Sequence, residues 1–135
     1  MLASIGLGGC EKPESVEIAR NDHAMTLAMA EARASVDEFL AAIRDPGPNR
    51  SGFAVKIGLK AGRRVDYVWL TDVTLSGNEL TGTVANDPPN VKTARKGDRR
   101  TVAPGEIVDW AYFEDGMRVG ARTDALLERR AADGE

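Results

Sequence analysis

The sequence predicts an α+β fold: an N-terminal helix packed on a curved antiparallel sheet of five or six strands, either open or partly closed into a small barrel, followed by a short C-terminal helix. Three observations predict it. Between Met25 and Ile43 apolar residues recur every three or four positions, the spacing of one helical face. From Ser51 onward the period drops to two, the spacing of a pleated strand. Between the apolar runs stand Ser76-Gly77-Asn78, Asn86-Asp87-Pro88, Lys96-Gly97-Asp98 and Glu114-Asp115-Gly116, all turn sequences. A chain of 135 residues with 42% hydrophobic content supports one core. The expected layout is a leader and tether over residues 1–20, one domain over 21–130 and a fraying tail over 131–135.

The leader reads as a truncated signal with a lipoprotein processing box. Residues 1–9 are uncharged and mostly small or apolar, and they end in Leu7-Gly8-Gly9-Cys10. Small residues before the cysteine let a peptidase approach the backbone, and the lipid would attach at the Cys10 sulfur. The basic start of a secretory signal is missing, which a start site placed too far downstream would produce. The competing reading is an apolar N-terminus with an incidental thiol. One cysteine excludes an internal disulfide under either reading. Glu11-Lys12-Pro13-Glu14-Ser15 has the composition of a tether.

The helix starts at a cap supplied by Asn21 or Asp22, whose short side-chain oxygens satisfy free amides of the first turn. Met25, Met29, Ala32, Val36, Phe39, Leu40 and Ile43 form its apolar stripe. Asp45-Pro46-Gly47-Pro48 ends it, since proline lacks a donor and disfavours helical geometry before it.

In the first strand Phe53, Val55, Ile57 and Leu59 alternate with Ala54, Lys56, Gly58 and Lys60, giving one buried and one wet face. Val65 to Leu75 is the second strand, with Tyr67, Trp69, Thr71, Val73 and Leu75 expected on one face. Glu79 to Ala85 returns through the Ser76-Gly77-Asn78 hairpin, and Gly82 inside it marks a bulge or a close backbone approach. The proline pair of Asn86-Asp87-Pro88-Pro89-Asn90 keeps that loop out of the sheet. Arg99 to Ala103, Ile107 to Phe113 and Met117 to Gly120 complete the strands. A last helix runs from Thr123, its expected cap, to Arg130.

Net charge of −3 and a pI near 5.3 give no field that draws nucleic acid. Membrane association is expected only through a lipidated Cys10. The chemistry of known sites is mostly missing. His23 is the sole histidine and has no serine elbow to serve. No cysteine pair, histidine pair or calcium-type loop is present, so neither a metal nor a cofactor is expected. Asp87, Asp98 and Asp109 could act as an acid–base set if their loops converge. The Asn-Asp-Pro and Gly-Asp sequences point instead to turn aspartates that bond local amides, and Asp109 before Trp110 could tie the fifth strand to a neighbouring loop. Lys92, Arg95, Lys96, Arg99 and Arg100 form a basic cluster able to hold a carboxylate or phosphate of a partner. Without interleaved aromatics it is no single-strand nucleic-acid platform.

The order Trp69, Asn86-Asp87-Pro88, Gly97-Asp98, then Asp109-Trp110 followed by Tyr112, resembles the YegJ-like bacterial family, domain-of-unknown-function family 2314. The resemblance spans roughly Asp22 to Leu127. It implies a compact α+β unit in which Trp69, Gly97, Asp98, Asp109, Trp110 and Tyr112 are structural. It implies no established activity, and no catalytic residue is carried over from it. Members often place an acidic residue followed by His or Tyr closer to the tryptophan, and Asp66-Tyr67-Val68-Trp69 departs from that pattern.

The expected function is that of a non-catalytic module binding a protein or an envelope component through Asn86, Asp87, Lys92, Arg95 and Arg99. The expected location is the periplasm or the membrane surface as a lipoprotein, with the cytoplasm as the alternative. Two other functions remain open from sequence: an immunity-type protein that neutralises a toxin, and a small hydrolase using the clustered aspartates.

Overall fold

A computed structural model describes residues 22–134 of the chain. Cys10, the tether, the alternative cap Asn21 and Glu135 lie outside the described residues. Helix α1, His23–Ala34, starts where Asp22 Oδ1 accepts the Met25 amide at 3.0 Å. The single predicted helix is in fact two. Ser35 leaves helical geometry at φ −109° and ψ 14°, and its hydroxyl donates to Glu31 O at 2.8 Å and Ala32 O at 3.2 Å. A serine that bonds back to the preceding turn competes with the helix ladder and bends it. Helix α2, Val36–Arg44, follows directly and stops before Pro46.

Six strands follow: β1 Arg50–Ala61, β2 Arg64–Ser76, β3 Glu79–Val84, β4 Arg99–Val102, β5 Ile107–Glu114 and β6 Met117–Gly120. They form one antiparallel sheet in the order β4-β3-β2-β1-β5-β6. The sheet is open, so it does not close into the partial barrel. Both edge strands are short, and β4 carries Arg99 and Arg100, which discourage pairing with another chain. Helix α3, Arg122–Ala132, closes the fold and reaches two residues into the stretch expected to fray.

One sheet face carries the main core. Val55, Ile57, Val68, Leu70, Val84, Ile107, Trp110 and Tyr112 pack there beneath Ala32, Val36, Phe39 and Leu40 of α1 and α2. Trp110 is fully buried, its ring centroid 5.8 Å from Phe39 and 5.9 Å from Tyr112. Its indole N–H donates to Ala32 O at 3.0 Å, which ties the end of α1 to the sheet. A second, smaller cluster joins Met25 and Met29 of α1 to Val108, with Tyr67, Leu126 and Leu127 against it.

The five β2 residues expected on one face are split between two, and a bulge explains why. Val68 and Leu70 point into the core, while Tyr67, Trp69 and Thr71 lie opposite. At Asp72, in the left-handed region at φ 50°, the pairing with β3 shifts and the alternation resets. Val73 and Leu75 therefore rejoin the core side. Gly82 supplies the close approach the sequence suggests. A Cβ there would lie 2.9 Å from both Leu70 Cβ and Val73 Cγ2.

Candidate functional site

The opposite sheet face holds a polar row that includes Lys56, which sequence alternation left in water. Trp69, Lys56 and Asp109 are register partners on β2, β1 and β5, so their side chains stand side by side. The first turn of α3 covers them. Lys56 is 7% exposed and Asp109 fully buried, which corrects the expectation of a wet Lys56. A buried charge persists only with compensating partners, and each is present. Lys56 Nζ donates to Thr123 Oγ1 at 2.9 Å and to Asp124 Oδ1 at 3.1 Å, and sits 5.4 Å over the Trp69 ring. Trp69 Nε1 donates to Asp124 Oδ2 at 3.1 Å.

Asp109 caps α3 from another element. Its Oδ2 accepts the Thr123 amide at 2.9 Å and the Thr123 hydroxyl, and its Oδ1 accepts the Trp110 amide at 2.9 Å. The residue at the cap position, Ala121, has no side chain to do this, and it occupies the left-handed region at φ 54°. Thr123 is thus not the cap the sequence suggests. It lies inside the helix and spends its hydroxyl on Asp109. Gly120 just before it has φ 87°, and a Cβ there would collide with Trp110 O. The chain can pass this close to Trp110 only without a side chain.

A second arrangement organises the predicted binding loop, residues 85–98. Asp66, 1% exposed at the start of β2, accepts the Asn90 amide at 2.7 Å, the Val91 amide at 2.8 Å and the Asn90 side-chain amide at 2.8 Å. Burial pushes the Asp66 carboxyl up, but these hydrogen bonds and the Arg64 charge outweigh it and hold it below the ordinary carboxylate value. Asp87 Oδ1 accepts the Lys96 amide at 2.8 Å, and Asp98 Oδ2 accepts the Arg95 amide at 2.9 Å. Gly97, at φ 93°, donates its amide to Val84 O at 2.9 Å. Pro88, Val91 and Ala94 are buried, so the loop is anchored from beneath.

These contacts decide the fate of the three candidate aspartates. Asp87 and Asp98 work inside one loop as turn formers, and Asp109 works at the start of α3. Asn86, Asp87, Lys92, Arg95, Lys96 and Arg99 are all exposed, with Arg99 Nη1 donating to Thr83 Oγ1 at 3.1 Å. Trp110 and Tyr112 sit in the core as expected from their strand. Trp69, expected from the sequence beside Trp110 at the centre of that core, is instead half-buried on the other face.

Sequence reasoning missed Lys56, Thr123, Asp124 and the clamp role of Asp66. Lys56 left a faint signal, as a charged residue in the interior of a long strand. Among the described residues no group of three or more His, Cys, Asp and Glu could hold a metal ion. No helix among them is long and apolar enough to cross a membrane. A shallow groove of about 310 Å³ separates α1 from α3, lined by Ala24, Leu27, Ala28, Ala125, Leu126 and Arg122 among others. None of the predicted binding residues borders it.

The model of the family described as "Uncharacterized protein conserved in bacteria (DUF2314)" matches residues 22–135. "Uncharacterized protein YegJ" of Escherichia coli (strain K12) is 32% identical over 105 residues, covering 77% of this chain and 67% of that protein. No solved structure matches the chain.

Proposed function

Since the chain belongs to the uncharacterised bacterial family DUF2314, we propose that its domain is a non-catalytic binding module that docks an acidic protein or envelope component on the cationic loop. The observation that carries this reading is the clamp at Asp66. Three hydrogen bonds to a buried carboxylate hold residues 90 and 91, while Lys92, Arg95, Lys96 and Arg99 stand exposed around them. A loop already ordered gives up little entropy when a partner arrives. Exposed cations of one sign steer an acidic partner and set its orientation. The aspartates nearby are all engaged with amides, which supports binding over acid–base chemistry.

The test is quantitative capture from envelope extracts with the wild-type chain and an Asn86→Ala/Lys92→Ala/Arg95→Ala variant. Loss of specific partners from the variant, with wild-type stability retained, is the expected result. Identical partner lists would remove the loop from consideration.

Placement at the envelope through a lipid on Cys10 belongs to the same reading and is supported by the Leu7-Gly8-Gly9-Cys10 box. Residues 11–20 would then tether the domain up to ~30 Å from the bilayer when extended. Mass spectrometry of the native protein should find the mature chain beginning at a modified Cys10, with partition into detergent. An intact Met1 excludes the anchor.

A further inference from the structure

Asp124 occupies a place built by other elements. Its oxygens accept from Lys56 Nζ at 3.1 Å and from Trp69 Nε1 at 3.1 and 3.3 Å. Both donors belong to the sheet, as register partners on β1 and β2. Lys56 also donates to Thr123 Oγ1, on α3 itself, while the Trp69 ring beneath its ammonium holds it from the sheet. Together Lys56 and Trp69 form a two-donor fork for one carboxylate, with an ammonium and an indole N–H as its arms.

The helix that supplies the carboxylate is lightly buried beyond its first turn. Of the α3 residues only Thr123 is buried. Ala121 at its base holds a left-handed conformation, φ 54° and ψ 46°, that a side chain with Cβ adopts at a cost. Arg122 Nη1 is buried with no hydrogen-bond partner, its guanidinium resting 5.4 Å over the Trp110 ring. The groove between α1 and α3 leaves that helix contact incompletely filled. The Asp124 side chain is 35% exposed, so the fork lies at the solvent boundary rather than in the core.

We propose that Lys56 and Trp69 form a carboxylate-binding site, filled in the free chain by Asp124 and taken over by an aspartate or glutamate side chain of a protein partner as α3 lifts. Asp124 is then an internal stand-in for the ligand, and α3 an autoinhibitory strap. The site stands independently of the cationic loop, although the two are neighbours: Trp69 O accepts the amide of Ala85, where that loop begins, at 3.0 Å.

The two tryptophan indole N–H resonances give a direct test. Trp69 reports on the fork, and Trp110, bonded to Ala32 O, reports on the fold. In Asp124→Ala, acetate titrated against chloride at constant ionic strength and pH should shift the Trp69 signal saturably and leave Trp110 unmoved. Adding Lys56→Met should weaken that binding by about tenfold or more, the effect of losing a charge-assisted hydrogen bond. In the wild-type chain acetate should do nothing. A glutamate-rich peptide should move the Trp69 signal and speed amide exchange in α3.

A folded Asp124→Ala chain whose Trp69 signal ignores acetate, or answers chloride equally, overturns the site. So does acetate binding that survives Lys56→Met. Peptide that shifts Trp69 without faster α3 exchange overturns the strap. If Asp124→Ala loses the Trp110 signal, Asp124→Ser and the wild-type peptide titration decide, and silence in both refutes the proposal. The Asn86/Lys92/Arg95 variant keeps the fork, so failure of the loop reading is recognisable separately.

Discussion

At the scale of single residues, two buried side chains carry unequal burdens. Trp110 fills the centre of the main core and also bonds Ala32. Trp110→Ala should cost about 3–5 kcal/mol through the cavity it leaves, read from the urea midpoint at unchanged slope. Asp66 carries a pH dependence. Its folded-state carboxyl titrates below the ordinary value, so its stabilising contribution is full above about pH 4 and fades as pH falls through the lowered folded value. Asp66→Asn should cost about 1–3 kcal/mol at neutral pH by leaving the amides of Asn90 and Val91 poorly matched. The gap should narrow in acid, where protonated Asp66 accepts less well. Parallel wild-type and variant stability curves from neutral to acid pH would contradict this. Trp110 was legible because a large aromatic in an alternating strand has few places to go. Asp66 was not, because its partners sit 24 and 25 residues away, beyond any local pattern.

Among the elements, α3 is distinguished by what holds it. Arg118 pairs Glu128 through two bonds of 2.8 and 3.0 Å, Arg130 pairs Asp22 through two of 2.9 Å, and Lys56 pairs Asp124. Arg118 holds the Glu128 carboxyl below its usual range, and Arg130 does the same for Asp22. Exposed pairs are screened by salt whereas apolar packing is not. Amides of α3 should therefore exchange ahead of those in β1, β2 and β5, and added salt should speed them selectively. Uniform exchange across the chain would mean that α3 opens only with global unfolding. The sequence showed the existence of this helix and of every strand, and it narrowed the first cap to Asn21 or Asp22, since period and turn residues are local properties. It did not show the break at Ser35 or the change of face at Asp72. Both depend on one residue choosing between backbone partners, a choice made by tertiary packing. The candidate loop was legible from its prolines and cations, while the row Trp69–Lys56–Asp109 was not. Alternation assigns Lys56 to water, and only the return of α3 from the far end of the chain reverses that.

For the molecule as a whole, the sheet order governs assembly. Strand β1 lies between β2, its neighbour in the chain, and β5, whose residues follow about fifty positions later. The central pairing is therefore non-local, and chains dominated by such pairings fold in milliseconds to seconds. Stopped-flow refolding followed by tryptophan fluorescence should show that range, with Val55→Ala slowing folding if the β1–β5 pairing belongs to the transition state. Microsecond refolding would show that the helices alone set the rate.

The register between β1 and β5 has a consequence for insertions and deletions. Ile57 faces Ile107 and Lys56 faces Asp109, so Val108 is a supernumerary residue with no partner across the ladder. Removing it by a one-codon deletion would splice Ile107 directly to Asp109 and leave every cross-strand pair with its present mate. What disappears is the peg on which Met25 and Met29 rest. The lesion should thus spare the sheet and loosen only the leading half of α1, visible as rapid exchange there beside protected amides in β1 and β5. A deletion one position later, at Asp109, would instead remove the cap of α3 and the mate of Lys56 together.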